Sequence, residues 1–392
     1  MPTAAPTQIM QGIEVPTSSV NPTQFFALTR RMTFQQKSFS FAGLGLTDNV
    51  PILQAGIISG LFVQFQGSLV IALPTGTCAT TMRWPYDLPR AFRFSANGQS
   101  NLINVSGAKL KIREIMARGD LTDRGIARGI GGASPGTSIN QGSLSLNTEN
   151  WGVGQGVSAI AAGTYTVDLE WYVPIAFDDV SLVGAIFAQT SATDLNLAID
   201  WAPLTDLFVL TGTATATLTG QCTVLGRLYT IPQGPNGQVI VPDLSTFHSL
   251  IQTRYANPGN GVNEIRLAGQ GVGKQLLRLY GQLWNGATPA PVPVNRTNYG
   301  QVGWRYGTSD TPELYPNGQV HAYSVEKTFD CDLCSINGVW ALDFSSENAF
   351  RDSVDEGTAT ELRFVNEIQN AVTLVSPVIE YVQETASIGS AA

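Results

Sequence analysis

The sequence has few charged side chains. Only 13% of its 392 residues are Asp, Glu, Lys or Arg, against roughly 25% in a typical soluble domain. A free monomer normally covers its surface with such groups because they hydrate well, whereas the centres of protein interfaces are depleted in charge. Two interpretations remain, a secreted β-protein with an uncharged polar exterior or a subunit whose flanks are covered by neighbours, and the second is favoured.

Cysteines, a net positive charge and long apolar runs are also lacking. Four cysteines are too few for a disulfide scaffold in a chain of this length, and a net charge of −8 argues against a general nucleic-acid-binding surface. No secretory segment follows the first residue, and no apolar run approaches the roughly 20 residues of a membrane-spanning helix. We therefore expect a soluble protein that is made inside the cell and binds no specific nucleic acid.

Glycine and proline, in contrast, are abundant. The chain has 40 Gly and 21 Pro, which suits many short elements joined by turns and argues against long helices. Apolar and polar residues alternate with a period of two in the segments 61–71, 164–173, 195–201, 340–344 and 362–368. One apolar and one polar face per strand is typical of antiparallel sheets packed as a sandwich. Trp171, Trp201 and Trp340 lie on apolar faces, so we expect them in the cores.

The predicted organisation is an N-terminal arm followed by two β-domains. The arm is polar, with one short helix that begins at Pro22 behind a capping Asn21. The turn-rich segment Gln233–Gly237 is the best boundary between the domains. The predicted divisions are the arm 1–37, the two β-domains 38–236 and 237–384, and a small-residue tail 385–392. Each domain is long enough for an eight-stranded jelly roll, so the predicted fold is all-β with two jelly rolls and a few short helices.

Helical patterns are few outside the arm. The segment Val180–Ala188, behind a capping aspartate, carries an apolar stripe and is predicted to be a short helix. The segment 242–250 is predicted to open a turn of helix. Residues 125–156 are rich in Gly, Ser and Asn and are expected to form a long loop.

Motifs for cofactors or metals are incomplete. Residues 268–275 resemble a phosphate-binding loop, but Ala268 and Gln275 stand where that motif needs Gly and Ser or Thr. Cys331 and Cys334 have the spacing of a zinc knuckle, yet two further ligands are missing. Two reduced thiols in a turn is the favoured interpretation of that pair, and neither motif predicts a cofactor or a metal.

The remaining polar candidates for catalysis are equally weak. His248 lies near two serines without the strand–turn–helix of a nucleophile elbow, and His321 belongs to no paired motif, so both are expected to be structural. Asp168 and Glu170 share a strand face as a glycosidase pair would, but that face is simply the polar side of the strand. We therefore predict no catalytic residue and a protein that is not an enzyme.

Several segments resemble tectivirus major capsid proteins. Residues 163–201 are similar to a strand–helix–strand segment of that family, in which a strand ends in a turn like Trp-Val-Pro. Residues 242–250 resemble the opening of the family's second barrel, and 362–382 and the tail 385–392 stand where the family would place them. The resemblance implies a double jelly roll, with the two barrels side by side. It also implies pseudo-hexagonal homotrimers that tile an icosahedral virion shell around an internal membrane, and adenovirus hexon has the same plan.

The same resemblance implies roles for particular segments. Arg30, Arg31 and Lys37 of the arm would meet membrane lipid or neighbouring capsomers. The helix over 180–188 would brace the first barrel, and 125–156 and 287–316 would be loops at the tower or at the trimer seam. The implied partners are further copies of the chain and penton and minor capsid proteins in the virion of a bacteriophage. The chain itself would be made in the host cytoplasm.

Two other functions stay open at this level. One is a carbohydrate-binding or glycoside-hydrolysing β-sandwich protein, since tryptophans and carboxylates are both present. The other is a receptor-binding spike of a virion. A sugar-binding monomer would favour the first, and an elongated particle of low copy number would favour the second.

Overall fold

The structure is a computed structural model that describes most of the chain. Nearly all of its strands fall into two groups, one in each half of the chain. The described residues are 7–10, 13–16, 18–19, 22–96, 98–118, 160–189, 194–233, 239–267, 274–286, 290–306, 310–330, 334, 338–345, 354–355 and 361–387. None of the helices in these ranges is long and apolar enough to cross a membrane.

The first half of the chain is a sandwich of two antiparallel sheets. Its main strands are β1 (Arg31–Ser40), β2 (Thr47–Pro51), β3 (Ile57–Ala72), β4 (Pro89–Ala96), β5 (Gln99–Val105), β6 (Gly163–Pro174), β7 (Leu195–Trp201) and β8 (Thr215–Tyr229). They are ordered β6-β3-β8-β1 in one sheet and β2-β7-β4-β5 in the other. Strands far apart in sequence are thus hydrogen-bonded neighbours, which is the connectivity of a jelly roll.

The second half repeats this topology strand for strand. Its main strands are β9 (Phe247–Ala256), β10 (Gly261–Arg266), β11 (Lys274–Asn285), β12 (Tyr299–Tyr306), β13 (Asp310–Tyr315), β14 (Val339–Asp343), β15 (Leu362–Ile368) and β16 (Val378–Ser387). Their orders are β14-β11-β16-β9 and β10-β15-β12-β13. Subtracting eight from each label reproduces the first half, although no residue-level repeat links the two sequences. The prediction of two eight-stranded jelly rolls is confirmed.

A few helices and short strands complete the described chain. The helices are α1 (Pro22–Leu28), α2 (Gly107–Arg118), α3 (Leu204–Leu207) and α4 (Gly318–Phe329). The short strands are Thr7–Met10, Ile13–Pro16, Ser18–Ser19, Cys78–Thr80, Ile186–Phe187, Phe208–Leu210, Ile240–Val241, Ala290–Pro291 and Val354–Asp355. Helix α1 is the helix predicted for the arm, and it is fixed by Phe25, which is buried with its ring 6.1 Å from that of Tyr229. The predicted cap, Asn21, lies outside the described residues.

The alternating side chains predicted for the strands do point into the cores. On β3, Val63, Phe65, Leu69 and Ile71 are all buried, while Gln66 between them is exposed. The three tryptophans placed on apolar faces are buried as well, with exposures of 2% for Trp171 and Trp201 and 0% for Trp340. Period-two alternation was therefore sufficient to identify these faces.

The helix predicted over Val180–Ala188 is wrong. The Asp178 carboxylate accepts two backbone N–H groups at 2.6 Å and so caps a tight turn. Leu182 and Gly184 then adopt φ values of 54° and 83°, which a right-handed helix does not allow. The chain leaves this turn to form the short strand Ile186–Phe187 against β3. The apolar side chains of this segment do pack against the barrel, but they belong to a turn and a short strand instead of a helix.

Two further expectations from the sequence are also wrong. The helical turn expected over 242–250 is absent because β9 begins at Phe247 and pairs with β16. Asp243 accepts the backbone N–H of Ser245 at 2.9 Å, so it forms an Asx turn before the strand. The loop expected over 287–316 contains β12 and β13, which pair with each other as a hairpin.

The two halves are joined through their sheets. Leu250 and Ile251 of β9 pair in parallel with Ile103 and Asn104 of β5. The second sheet of the first half therefore continues into the first sheet of the second half. Residues 234–238, at the predicted domain boundary, lie outside the described residues.

Candidate functional site

Helix α2 lies in the interface between the two jelly rolls. It follows β5 directly and is covered on almost every side, since its first seven residues are all buried. Gly107 opens it because a side chain there would collide with the carbonyl oxygen of Tyr86 and the ring of Trp171. The helix nevertheless carries Lys109 and Arg113 into this interface. Buried charges require partners, and the second jelly roll supplies them.

Glu384 of β16 lies at the centre of the first group of buried charges. Its Oε1 lies 2.8 Å from Nε of Arg113 and 2.9 Å from Nε2 of His248. Arg278 is nearby, with Nη1 3.9 Å from Glu384 Oε2 and Nε donating to Asp343 at 3.2 Å. Burial opposes ionisation of Glu384, but the Arg113 charge, the His248 hydrogen bond and the Arg278 charge outweigh it and hold its pKa well below the usual value.

Glu380 lies four residues before Glu384 on the same face of β16, at the centre of a second group of charges. It accepts from Arg83 at 2.7 Å, and Arg83 also donates to Asp87 at 2.9 Å. Asp87 in turn accepts the backbone N–H of the second residue of α2. Lys109 donates to Gln282 of β11. Burial lowers the pKa of Lys109 to about 8, although Glu380 and Asp87 partly offset that effect.

These contacts form an electrostatic clamp, which we define as Lys109 and Arg113 of α2 with Glu380 and Glu384 of β16. A cavity of about 420 Å³ lies beside it, and its charged lining residues include two ion pairs, Arg227 with Asp179 and Arg278 with Asp343. No group of three or more His, Cys, Asp or Glu side chains within the described ranges is arranged to hold a metal ion. The clamp therefore has the chemistry of a structural joint, in which each charge fixes the position of another.

The three arm cations lie at and beyond the start of the first barrel. Arg30 is exposed, and its backbone N–H donates to the Thr230 side chain at 2.9 Å. Arg31 is exposed at the first position of β1. Lys37 also belongs to β1, and its ammonium donates to the Asn49 carbonyl at 3.2 Å. Residues 31–37, which the sequence placed in the arm, thus form the first part of an edge strand that pairs with β8.

The histidines predicted to be structural have structural contacts. His248 belongs to the interface described above, where it contacts Glu384. His321, on α4, is fully buried, and its Nε2 accepts the backbone N–H of Ala341 at 3.3 Å. Burial lowers its pKa to about 3, so it is neutral near pH 7.

The structure describes only some of the other motifs considered in the sequence. Asp168 and Glu170 lie on the outward face of β6, within 3.4 Å of the same Gln64 amide nitrogen. Cys334 is buried, whereas Cys331 and residues 268–273 lie outside the described residues. The loop predicted over 125–156 lies outside them as well.

The clamp was missed at the sequence level. No helix was predicted over 107–118, because the charged residues of α2 are spread among its apolar ones and Lys109, Lys111 and Arg113 are buried with them, so no separate polar face marks the helix. One signal was available. Glu380 and Glu384 stand four apart in the strand 378–387, so they share one face with the apolar Val382 between them. Buried carboxylates in a sheet call for cations on a neighbouring element.

Comparisons with known sequences give no match. No protein-family model matches the chain, and no curated protein sequence matches it. The fold alone therefore links this protein to others.

Comparisons with solved structures give extensive matches at low sequence identity. The STIV major capsid protein matches with a TM-score of 0.64 at 14% identity, over 92% of this chain and 97% of that one. The PBCV-1 virus capsid protein matches with a TM-score of 0.57 at 10% identity, over 91% and 93% of the two chains. The major capsid protein P2 of bacteriophage PM2 matches with a TM-score of 0.50 at 10% identity, over 92% and 99%. The chain thus has the double jelly-roll fold that these viral capsid proteins have.

Proposed function

We propose that this protein is a viral major capsid protein, without catalytic activity, whose homotrimers tile an icosahedral shell. The fold carries the proposal: two jelly rolls of identical strand order stand side by side, and solved capsid proteins share this arrangement over more than 90% of both chains. Three copies of a chain with two similar barrels give six barrels in a closed ring, which is a pseudo-hexagonal building block.

The carbohydrate-active alternative has less support. Sugar-binding sites stack aromatic rings on the substrate, and such rings must be exposed. Every tryptophan within the described ranges is instead buried: Trp84, Trp171, Trp201, Trp284, Trp304 and Trp340. The carboxylates Asp168 and Glu170 lie on a polar sheet face with Gln64 between them. These observations favour a structural subunit over a lectin or a glycosidase.

The oligomeric state tests this function. Size-exclusion chromatography with light scattering should give a stable species of three times 41.9 kDa. Neither chelators nor oligosaccharides should change its mass or its thermal stability, because no bound metal or sugar holds it together. A monomer that gains thermal stability from a glycan would contradict the proposal and support the carbohydrate-binding alternative.

We further propose that the arm faces the inside of the shell, where Arg30, Arg31 and Lys37 contact lipid headgroups of an internal membrane or adjacent capsomers. Arg30 and Arg31 are adjacent and exposed, in a chain whose net charge is −8. The same proposal includes penton and minor capsid proteins as partners of the chain and a bacterium as the host. Cations near an anionic membrane surface contribute about 1 kcal/mol each.

Vesicle binding tests the role of these cations. Changing all three arm cations to Gln should weaken binding to vesicles containing anionic phospholipid by at least about tenfold. A matched control changes three other exposed cations, Arg90, Arg266 and Arg296, to Gln and should bind as the unmodified protein does. Equal loss in both variants would mean that only net charge matters and would contradict a specific arm contact.

A further inference from the structure

Lys109 of α2 contacts a side-chain amide inside the interface between the jelly rolls. Lys109 is 1% exposed, and among the described residues the one hydrogen-bond acceptor of its Nζ is the side-chain oxygen of Gln282 on β11. Arg113, four residues later on the same helix, donates instead to the Glu384 carboxylate and to the Phe177 carbonyl. A buried ammonium that contacts a neutral amide is poorly compensated. This amine and this amide are therefore candidates for chemistry as well as for a hydrogen bond.

A third buried group, the carboxylate of Glu380, completes this cluster. Glu380 lies directly opposite Gln282 in the pairing of β16 with β11, so the two side chains project from the same face of the sheet. Both residues are buried, and Glu380 is close enough to Lys109 for their charges to interact. The ring of Trp284 lies 5.9 Å from the Lys109 Nζ. The fold thus holds an amine, an amide and a carboxylate together in a site that is largely closed to water.

The surroundings also favour the reactive forms of the amine and the carboxylate. Burial lowers the pKa of Lys109 to about 8, and the charge of Arg83 adds to this effect while Glu380 and Asp87 oppose it. About a tenth of Lys109 is then the neutral amine at pH 7, which is the form that attacks a carbonyl carbon. Burial opposes ionisation of Glu380, but the charges of Arg83 and Lys109 outweigh it and hold the pKa of Glu380 below its usual value. Glu380 is therefore ionised and able to accept a proton.

We propose that Lys109 and Gln282 form an intramolecular isopeptide bond that joins the two jelly rolls covalently. The neutral Nζ of Lys109 attacks Cδ of Gln282, so a new N–C bond forms, the bond from Cδ to Nε2 breaks and ammonia leaves. One proton passes from the attacking nitrogen to the Glu380 carboxylate and from there to the departing nitrogen. The step needs no oxidant and no second reactant. The fold supplies the proximity that makes such a reaction fast.

The bond joins residues that are far apart in the chain. Lys109 belongs to the first half and Gln282 to the second, 173 positions later. A cross-link that closes so long a loop removes conformational freedom from the unfolded chain. It therefore stabilises the contact between the jelly rolls independently of the ion pairs in the clamp. This modification goes beyond the proposed function and does not rest on it.

Mass spectrometry of the full-length chain tests the bond. Folded protein kept at about pH 9 until its mass is constant should be lighter than its sequence by one ammonia molecule, because the amine is mostly neutral there. A protease digest should then contain one branched peptide that joins the segment of Lys109 to the segment of Gln282. Any chain still unmodified after purification should convert about tenfold faster at about pH 7 than at about pH 6, as the neutral fraction of the amine rises.

Two lysine variants show whether the ammonia comes from this site. Lys109→Arg keeps a buried cation without the nucleophilic amine, so it should retain the mass of its sequence. Lys111→Arg is the matched control, because Lys111 is also buried on α2 but pairs with Glu114, and it should lose ammonia as the unmodified protein does.

The unmodified protein decides the question even if a variant fails to fold. A mass equal to that of the sequence would overturn the bond, and so would loss of ammonia in Lys109→Arg. Loss of ammonia without the branched peptide would indicate a succinimide at an Asn-Gly sequence and would overturn it as well. The oligomeric state tests the proposed function separately, because none of these masses depends on it.

Discussion

Glu384→Gln is expected to lower the free energy of unfolding by about 3–5 kcal/mol. The change removes the counter-charge of Arg113 and leaves that guanidinium buried, with only the Phe177 carbonyl and the new amide oxygen as acceptors. Chemical denaturation followed by tryptophan fluorescence measures the effect. Asp200→Asn is the control: the Arg93–Asp200 pair is also close, at 2.6 Å, but its side chains are 40% and 26% exposed, so the loss should stay below about 1 kcal/mol.

A double replacement separates the cost of an unpaired charge from that of lost packing. Combining Arg113→Met with Glu384→Leu removes both charges and should recover most of the stability lost in Glu384→Gln. A double variant that is less stable than Glu384→Gln would show that the pair contributes more than mutual neutralisation.

The contribution of Glu384 also depends on pH. Its pKa in the folded protein lies below the ordinary value of 4.5, so the stabilisation is fully present above that value and is lost as the pH falls toward the folded-state pKa. The stability difference between the unmodified protein and Glu384→Gln should therefore be constant from about pH 7 to pH 5 and shrink below that range. A difference that grows on acidification would contradict the ionised, clamped state.

Trp171→Ala is expected to destabilise the protein by about 3–5 kcal/mol, because it leaves a large cavity in the core. Trp171 is 2% exposed, its ring lies 5.8 Å from that of Phe92, and it supports the start of α2 at Gly107. The same denaturation experiment applies. Loss of this ring should therefore affect both the first core and the seating of the helix in the interface.

A neighbouring residue on the same strand provides the control. Thr166→Ala, on the outward and exposed face of β6, should change the stability by less than about 0.5 kcal/mol. A loss below about 1 kcal/mol in Trp171→Ala, or equal losses in both variants, would mean that the faces of β6 are assigned the wrong way round.

The strands could be predicted from the sequence because each needs only its own pattern. In β6, for example, Tyr165, Val167, Leu169 and Trp171 alternate with polar residues, and burial follows that alternation. The segment 180–188 shows where this fails. Its apolar spacing suits a helix, but the positive φ at Leu182 and the pairing of Ile186 with β3 depend on the barrel beneath. Tertiary contacts decided this conformation, and a local pattern does not contain them.

Helix α4 and the clamp were missed for different reasons. Asn317 is a strong capping residue that accepts the N–H groups of Gln319 and Val320, so a capping rule applied there would have found the helix. The clamp joins α2 to β16, more than 260 residues along the chain, for example in the Arg113–Glu384 contact with a sequence separation of 271. Such pairing needs the fold, not the local sequence.

The low content of charged residues can be compared with where the charged side chains lie in the structure. Several of the few charged side chains are used inside the chain, where Lys109, Arg113, Glu380 and Glu384 hold the jelly rolls together. This distribution suits a protein whose flanks meet further copies of itself.

Single-particle cryo-electron microscopy of the purified protein is the most direct measurement of the central claim. The expected particle is a closed ring of three copies with six upright barrels. A single copy, a two-fold dimer, or a ring of another number of copies would contradict it.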